Sequence, residues 1–471
     1  MPRIPLLVSG PDVTATEPTD AETPLARVAD LDLLAEPLRR GEKPPSEWRI
    51  GLEAERFGVC RPQGRPLAYD TDEAGQASVT RLFAFLVRER GWRPVRERPD
   101  GPVLALRRGA SSITLEPGAQ IELSGAPHRR LDDLAAELHE HLEELVAASE
   151  TFRVCWVGVG FHPWARREQL PWVPKSRYPI MRRYLPTRGK LALDMMQRTA
   201  TVQLNLDYAS ERDAFRKLRV ALALSPLVTA AFASSPWKEG RATDHRSLRA
   251  QVWLHTDPDR TGLLPRLWRD DAGYSDYVQW ALDVPMFVVL REDRVLDATG
   301  LTFRRYLEEG LEGERATMAD WRAHLNTLFP EVRLKGTLEV RGADGQGEAM
   351  TVALPALWKG LLYDEQSLAA AERLVSGWDP SAVEAARPQL ARRALRAPFL
   401  GREAAEWFDE VLRLAADGLR RLEGDEALRW LAPLRALSAR GQSPADRLLE
   451  LVGEQPDPQR LPEAIASLRT P

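Results

Sequence analysis

Residues 50–57, IGLEAERF, carry the clearest strand pattern of the chain. Side chains alternate between the two faces of a β-strand with a period of two. Ile50 and Leu52 therefore share one face, whereas Glu53 and Glu55 share the other. This alternation predicts a strand of an antiparallel sheet that is apolar on one side and acidic on the other.

Three later segments repeat the two-faced pattern, at residues 120–124, 201–207 and 337–341. Each alternates aliphatic residues with polar ones, and Glu116 lies just upstream of the first. A solvated sheet face is the common interpretation of any one such strand. The polar faces carry Gln120, Glu122 and Ser124 in the first segment, Thr201, Gln203, Asn205 and Asp207 in the second, and Thr337, Glu339 and Arg341 in the third.

The four strands together favour a different interpretation. Their polar faces are rich in glutamate and carry few lysines. Directly opposed like charges destabilise a sheet, and divalent cations reverse the sign of that interaction. Because Mg²⁺ and Mn²⁺ take oxygen ligands from carboxylates and phosphates, the pattern predicts a carboxylate-lined, metal-dependent site with a phosphorylated substrate.

The order of predicted elements indicates an α+β fold with an antiparallel sheet, because strands mix with long helices without regular βαβ spacing. Residues 1–22 are predicted to form a mobile tail. Residues 23–471 are predicted to form one unit whose part from 364 to 471 is mainly helical. Further predicted helices cover residues 25–38, 75–91, 131–150 and 210–233, and further predicted strands cover residues 103–123, 154–161, 200–208, 286–290 and 334–341.

Composition excludes several classes of protein. The 471 residues carry 65 Lys+Arg against 69 Asp+Glu, a formal net charge of −4, which argues against nucleic-acid binding by broad electrostatics. No apolar run approaches the roughly 20 residues that a membrane span needs, so we expect a cytoplasmic protein. Cys60 and Cys155 are the sole cysteines, too few for a disulfide framework. Seven of the basic residues are lysines, and the arginine surplus is mostly compositional.

Several segments resemble glutamate–cysteine ligases of the plant and proteobacterial type. They are residues 51–58 (GLEAERFG), 115–127 (LEPGAQIELSGAP), 194–208 (DMMQRTATVQLNLDY), 257–262 (DPDRTG), 339–344 (EVRGAD) and 354–364 (LPALWKGLLYD). The resemblance runs in collinear order from about Glu42 onward. It implies a glutamine-synthetase-like fold, in which the concave face of a curved antiparallel sheet holds ATP, divalent metal and glutamate with helices around it.

The same resemblance implies a reaction and its participants. The γ-carboxylate of L-glutamate is joined to the amine of L-cysteine through a γ-glutamyl phosphate, with ATP as co-substrate and Mg²⁺ or Mn²⁺ as cofactor. This is the first step of glutathione biosynthesis. We expect a monomer or homodimer with no nucleic-acid or membrane partner. Two alternatives stay open, namely a related ligase with another amine acceptor and a non-catalytic metal-binding or interaction protein.

By resemblance, the site residues fall into three groups. The metal ligands are Glu53, Glu55, Glu116, Glu122 and Glu339, with Gln203 as a further contact. Arg341 is expected to hold the transferring phosphate beside Glu339. The substrate contacts are Arg249 for the α-carboxylate, then Trp253, Thr199 and Thr201, and finally Arg182 and Arg183, for which a surface ion pair is the alternative.

The chain departs from the plant pattern at three points. Ala54 stands where plant enzymes usually have His, and Ala200 stands where plant chains carry Cys. Plant enzymes also use cysteine pairs for redox switching. Cys60 and Cys155 provide no equivalent pairs, so we expect no thiol switch of the plant kind.

Overall fold

A ten-stranded antiparallel sheet organises the chain in the computed structural model, which describes residues 31–72, 76–291 and 294–468. Eight strands follow one another in the order β9-β10-β8-β1-β6-β5-β4-β3, and two more pair with the carboxyl-terminal end of β1. The strands are β1 (Ile50–Cys60), β2 (Arg65–Pro66), β3 (Arg93–Arg96), β4 (Val103–Arg108), β5 (Ser111–Leu115), β6 (Ile121–Ser124), β7 (Val154–Val157), β8 (Thr201–Leu206), β9 (Val332–Leu334) and β10 (Leu338–Asp344).

Seventeen α-helices surround this sheet in the described part of the chain. They are α1 (Leu31–Arg39), α2 (Val79–Arg90), α3 (Leu131–Phe152), α4 (Tyr178–Tyr184), α5 (Ala192–Arg198), α6 (Glu211–Ala231), α7 (Leu248–Trp253), α8 (Tyr274–Asp283), α9 (Phe303–Glu309), α10 (Met318–Leu325), α11 (Glu348–Leu362), α12 (Glu365–Val375), α13 (Pro380–Arg393), α14 (Ala404–Glu423), α15 (Ala432–Ser438), α16 (Pro444–Val452) and α17 (Arg460–Ser467). Short two-stranded ribbons join Trp237–Lys238 to Arg241–Ala242, Thr261–Gly262 to Phe329–Pro330, Val288–Leu290 to Val295–Asp297, and Pro398–Phe399 to Arg402–Glu403.

The apolar face of the sheet packs into the main hydrophobic core. Leu52 of β1 and Leu204 of β8 are buried in it, opposite each other across the strand pair. Helix α6 packs on β10, and helix α11 packs on β1 and β8. Helix α6 begins where the Ser210 hydroxyl accepts a hydrogen bond from the Asp213 N–H, which satisfies a backbone donor that the helix leaves unpaired. The aliphatic half of each two-faced strand thus anchors the sheet, and its polar half is left to form the site.

The structure confirms the predicted α+β class with an antiparallel sheet. The first predicted strand is β1, and the alternating segment near residue 201 is β8. The predicted helix at residues 75–91 is α2, which ends at Gly91 in the left-handed conformation with φ 71°. Glycine favours this C-terminal position because it lacks a Cβ.

Two predicted strands are divided in the structure. The region 103–123 forms β4, β5 and β6, and β3 before it was not predicted. The prediction of one strand at 334–341 is wrong, because a tight turn at Gly336 (φ 93°) separates β9 from β10. The Lys335 N–H donates to the Thr337 carbonyl across this turn at 3.0 Å.

The remaining predictions concern the two ends of the chain and the possibility of a membrane span. The tail predicted at residues 1–22 lies outside the described residues, and of the helix predicted at residues 25–38 the structure describes the part from Leu31. Beyond residue 364 the regular elements of the described chain are helices, apart from one short ribbon. No helix of the described residues is long and apolar enough to cross a membrane.

The two cysteines lie on neighbouring antiparallel strands but on opposite faces. Cys60 of β1 is paired with Val154 of β7, and Cys155 is paired with Val59. Directly paired residues share a face and successive residues alternate, so the two thiols point away from each other. Burial raises the pKa of both thiols, which lowers the fraction of reactive thiolate.

This geometry predicts that the chain forms no internal disulfide. After exposure to oxidant and unfolding, a thiol-specific reagent should still titrate both Cys60 and Cys155. The enzyme activity expected from the resemblance should be the same with and without reductant. A several-fold loss of activity on reduction would contradict this prediction.

Helices α11 and α14 cross at two glycines, and this contact generates a stability prediction. A Cβ atom on Gly418 would collide with the Gly360 carbonyl oxygen of α11. Helix propensity alone would make Gly418→Ala more stable by about 1 kcal/mol. Overpacking instead costs about 1–3 kcal/mol, and we expect it to dominate in the free energy of unfolding measured with denaturant.

The matched control is Gly377→Ala, because a Cβ at Gly377 meets nothing within 4 Å. We expect this variant to stay within about 0.5 kcal/mol of the wild type. A Gly418→Ala chain as stable as the control would show that the two helices do not need close backbone contact.

Candidate active site

The polar face of the sheet is buried, not solvated. Glu53 and Glu55 of β1, Glu122 of β6 and Glu339 of β10 all lie in the protein interior. Glu116, in the turn between β5 and β6, is half-buried. These five glutamates are called the carboxylate floor here. Their burial excludes the solvated-face interpretation and makes neutralisation of their charge necessary.

One end of the carboxylate floor is neutralised by the protein itself. Glu339 accepts a hydrogen bond from the Arg333 guanidinium at 2.9 Å and pairs with Lys335 and Arg341 at 2.7 Å each. Although burial opposes ionisation, these three cations hold the pKa of Glu339 well below its usual range. Glu339 is therefore a fixed anion with three cationic partners.

Glu53 lies beside this cluster. Its carboxylate accepts a hydrogen bond from the Asn205 amide at 2.9 Å, and the Lys335 ammonium is 4.0 Å away. Burial, with the nearby charge of Glu339, raises the pKa of Glu53 to about 7. Lys335 thus lies between two buried carboxylates.

The other end of the carboxylate floor has no such partners. Glu55 and Glu122 are paired directly across β1 and β6, the arrangement in which like charges destabilise a sheet. Burial and the neighbouring carboxylates raise the pKa of both, that of Glu55 well above its usual range. Within the described residues, Glu55, Glu116 and Glu122 form no ion pair. The protein itself therefore supplies no ion-pair partner for the carboxylates at this end.

Gln203 adds an unsatisfied oxygen to the same face. It is directly paired with Glu53 on the neighbouring strand, and it is almost fully buried. Its side-chain oxygen Oε1 has no hydrogen-bond partner among the described residues. A buried acceptor without a partner is costly, and a bound cation would satisfy it.

The oxygen-rich end therefore matches a hard divalent cation in its chemistry. Glu55, Glu116 and Glu122 offer carboxylate oxygens, and Gln203, beside Glu53, offers an amide oxygen. Both are ligand types that Mg²⁺ and Mn²⁺ prefer. Among the described residues, no group of three or more His, Cys, Asp or Glu side chains is arranged to hold a metal ion. The match lies in donor type and charge, not in a preformed coordination geometry.

Arg249 supports an irregularity in β10. The register between β10 and β8 shifts between Val340 and Ala343, which makes a β-bulge. Arg249, buried on α7, donates to the carbonyls of Arg341 at 2.8 Å and Gly342 at 3.2 Å, and its Nε has no partner among the described residues. Bulges redirect a side chain at the point where they interrupt a strand, and here the side chain is that of Arg341.

The two predicted threonine contacts use their hydroxyl groups on the protein backbone. Thr199 donates to the Met195 carbonyl at 2.6 Å. Thr201 donates to the Ala343 carbonyl at 2.7 Å, beside the bulge, and its N–H donates to Glu55 at 3.1 Å. Thr201 therefore lies beside Glu55 and the bulge, and both hydroxyl hydrogens are already engaged.

A small recess opens beside the bulge. Arg249, Arg341 and Trp253 line it together with Phe329, and Glu331 and Arg387 form an ion pair in its wall. The Trp253 indole N–H is buried without a hydrogen-bond partner among the described residues. Arg341 contacts both Glu339 and this recess, so the structure brings three of the predicted substrate and phosphate residues to one place.

Arg182 and Arg183 are exposed on α4. Arg183 forms an ion pair with Asp297 at 3.0 Å, and Arg182 lies over the ring of Trp172 at 4.9 Å. Neither hydrogen-bonds to the carboxylate floor in the described part of the chain. The surface ion pair foreseen as the alternative is what Arg183 forms.

Sequence reasoning missed four polar residues of the site. Arg333, Lys335 and Asn205 bond to or face the carboxylate floor, and the buried Lys175 lies near its other end, where burial lowers its pKa to about 8. Asn205 was visible on the polar face of its strand. Arg333 and Lys335 alternate with Leu334, a signal that was hidden because the turn at Gly336 was not predicted.

Comparison with known proteins gives consistent results. A family model described as glutamate-cysteine ligase family 2 matches residues 49–467. The chain is 42% identical over 457 residues to the chloroplastic glutamate–cysteine ligase of Brassica juncea, covering 95% of this chain and 86% of that protein. The chloroplastic enzyme of Arabidopsis thaliana is also 42% identical, covering 95% and 85%.

A solved structure supports the same fold. The glutamate–cysteine ligase of Francisella tularensis, solved in complex with AMP, superposes with a TM-score of 0.52 at 13% identity, covering 90% of this chain and 88% of that one. Because the family model and the plant relatives cover nearly the whole chain, this protein belongs to glutamate-cysteine ligase family 2.

Proposed function

We propose that this protein joins the γ-carboxylate of L-glutamate to the amine of L-cysteine, with ATP converted to ADP and phosphate. The product is γ-glutamylcysteine, the first intermediate on the way to glutathione. Family membership and the named activity of relatives at 42% identity support the proposal. The observation that carries it is the buried carboxylate floor with Arg341 at its edge.

The chemistry explains why such a site is needed. A carboxylate is a poor electrophile, so its oxygen first takes the γ-phosphoryl group of ATP to form an acyl phosphate. The cysteine amine then attacks the acyl carbon, phosphate leaves, and the amine loses a proton. The first step brings anions together, and catalysis of phosphoryl transfer depends mainly on positioning and electrostatic stabilisation.

Individual residues have distinct proposed roles. Glu55, Glu116, Glu122 and Gln203 would hold a divalent cation, Mg²⁺ or Mn²⁺, whose chemistry is to neutralise phosphate oxygens. Arg341, held by Glu339 at 2.7 Å and aimed by the bulge, would hold the transferring phosphoryl group.

The recess is the proposed place of the amino-acid substrates. Arg249 contributes positive charge beside it, and the unpartnered Trp253 indole N–H offers a hydrogen-bond donor. Thr199 and Thr201 would act mainly through the backbone that they fix. Four further points stay predictions. They are a role for Arg182 and Arg183 in binding substrate, a cytoplasmic location, a monomeric or homodimeric state, and a single unit at residues 23–471.

Turnover with a panel of amines tests the reaction. Purified protein with ATP, Mg²⁺ and L-glutamate should release phosphate when L-cysteine is added, and mass spectrometry should find γ-glutamylcysteine. Glu55→Gln should abolish most of this release, since it removes the negative charge of one of the proposed ligands. Strong turnover with another amine but not with cysteine would overturn the acceptor assignment, and no turnover with any amine would favour a non-catalytic protein.

Replacing Glu339 tests whether its negative charge holds the three surrounding cations in place. Glu339→Gln leaves Arg333, Lys335 and Arg341 without their shared anion. Breaking a buried ion pair costs about 3–5 kcal/mol, so the free energy of unfolding should fall by an amount of that order, and phosphate release should fall with it.

The matched control for this prediction is Glu309→Gln. Glu309 pairs with Arg305 at 2.9 Å on α9, and both side chains are more than half exposed. Exposed pairs of this spacing contribute about 0.3–0.5 kcal/mol, so the control should keep wild-type stability and activity. A Glu339→Gln protein that behaves like this control would contradict the proposed role.

A further inference from the structure

The cations of this chain are distributed unevenly between arginine and lysine. Seven of the 65 basic residues are lysines, and four of those seven are buried, namely Lys175, Lys217, Lys335 and Lys359. Lysine is almost never fully buried unless it is paired. The partners of each buried lysine therefore indicate what its charge neutralises.

Lys335 differs from the two arginines that share Glu339 with it. The Arg333 guanidinium also donates to the Asn326 carbonyl at 2.7 Å and the Leu328 carbonyl at 3.1 Å, which tie it to the backbone. Arg341 reaches out of the cluster to lie over the Phe329 ring, its carbon Cζ 5.6 Å from the centre. Lys335 alone among these three pairs with both Glu339, at 2.7 Å, and Glu53, at 4.0 Å.

The backbone holds the lysine in this position. Lys335 belongs to the tight turn between β9 and β10, closed by its N–H on the Thr337 carbonyl. The next residue, Gly336, has φ 93° and packs so closely on Gly41 that a Cβ on Gly41 would collide with the Gly336 carbonyl. The stem of Lys335 is therefore fixed where its ammonium bridges two carboxylates.

A cation between two buried carboxylates has the electrostatic role that a bound metal ion would have. We propose that Lys335 is an internal counter-cation, which occupies the Glu53–Glu339 end of the carboxylate floor and excludes a divalent ion from it in the nucleotide-free protein. The divalent ion is then taken up at the Glu55–Glu122 end alone. This inference rests on the metal-dependent part of the proposed function and refines the earlier expectation that all five glutamates are metal ligands.

The inference is tested by counting ions, without any turnover. The nucleotide-free full-length protein is titrated with Mn²⁺, and free Mn²⁺ is followed by its electron paramagnetic resonance signal. We expect one tight Mn²⁺ per chain for the wild type and two for Lys335→Met. Lys335→Arg should keep the wild-type number because it keeps the cation, and Lys238→Met, at an exposed position, should also leave it unchanged.

The double variant Lys335→Met with Glu53→Gln identifies the second ion. It should return to one Mn²⁺ per chain, since the new site loses a carboxylate. Circular dichroism and thermal melting establish that each variant is folded. If Lys335→Met does not fold, the wild type still decides, because two tight Mn²⁺ ions on the nucleotide-free wild type would overturn the inference.

The deciding quantity is the difference of one ion between Lys335→Met and the wild type. Equal numbers in the two folded proteins overturn the inference, even if the protein ligates cysteine normally. A wild type that binds no Mn²⁺ overturns the metal site of the proposed function, and the difference between the two proteins then still decides the role of Lys335. The two failures are therefore separable.

Discussion

The structure depends on the neutralisation of carboxylates that are buried on one face of a β-sheet. Removing an ionised carboxylate from water costs several kcal/mol, and good pairing geometry is needed to offset that cost. At an effective dielectric constant of 20, unit charges 4 Å apart interact by about 4 kcal/mol. The Lys335 ammonium and the Glu53 carboxylate are 4.0 Å apart. Their attraction is therefore of this order. Such pairing is therefore large enough to decide which protonation states the buried face adopts.

The apolar half of the same strands makes this burial possible. Each strand that carries a glutamate on one side carries aliphatic residues on the other, where α6 and α11 cover the sheet. The bulge in β10 then breaks the strict alternation once, next to Glu339. Arg249 donates to the Arg341 and Gly342 carbonyls within the bulge, and Thr201 donates to the Ala343 carbonyl beside it. The irregularity is thus held by specific side chains, as expected for a bulge that aims a functional residue.

The sequence predicted correctly the features that depend on the geometry of a single strand. The period of two placed Glu53, Glu122, Gln203 and Glu339 on one face correctly, because alternation is a property of the strand itself. The sequence did not reveal which carboxylate would meet which cation. That depends on strand order and on the turn at Gly336, which turns the Arg333 and Lys335 strand back against Glu339. The engagement of the Thr199 and Thr201 hydroxyls by backbone carbonyls is likewise a property of the folded site.

The uneven distribution of charge along the carboxylate floor has a consequence for the proposed chemistry. At one end three cations surround Glu339, and at the other Glu55, Glu116 and Glu122 face one another without ion pairs in the described residues. The proposed phosphoryl transfer needs both parts of this arrangement, the fixed cations at one end and the oxygen ligands for a divalent cation at the other. Charged groups that are already in place before reaction reduce the reorganisation needed when charge moves in the transition state. A carboxylate floor neutralised evenly by metal ions would lack this polarity, which is why the positive charge of Lys335 matters to the proposed mechanism.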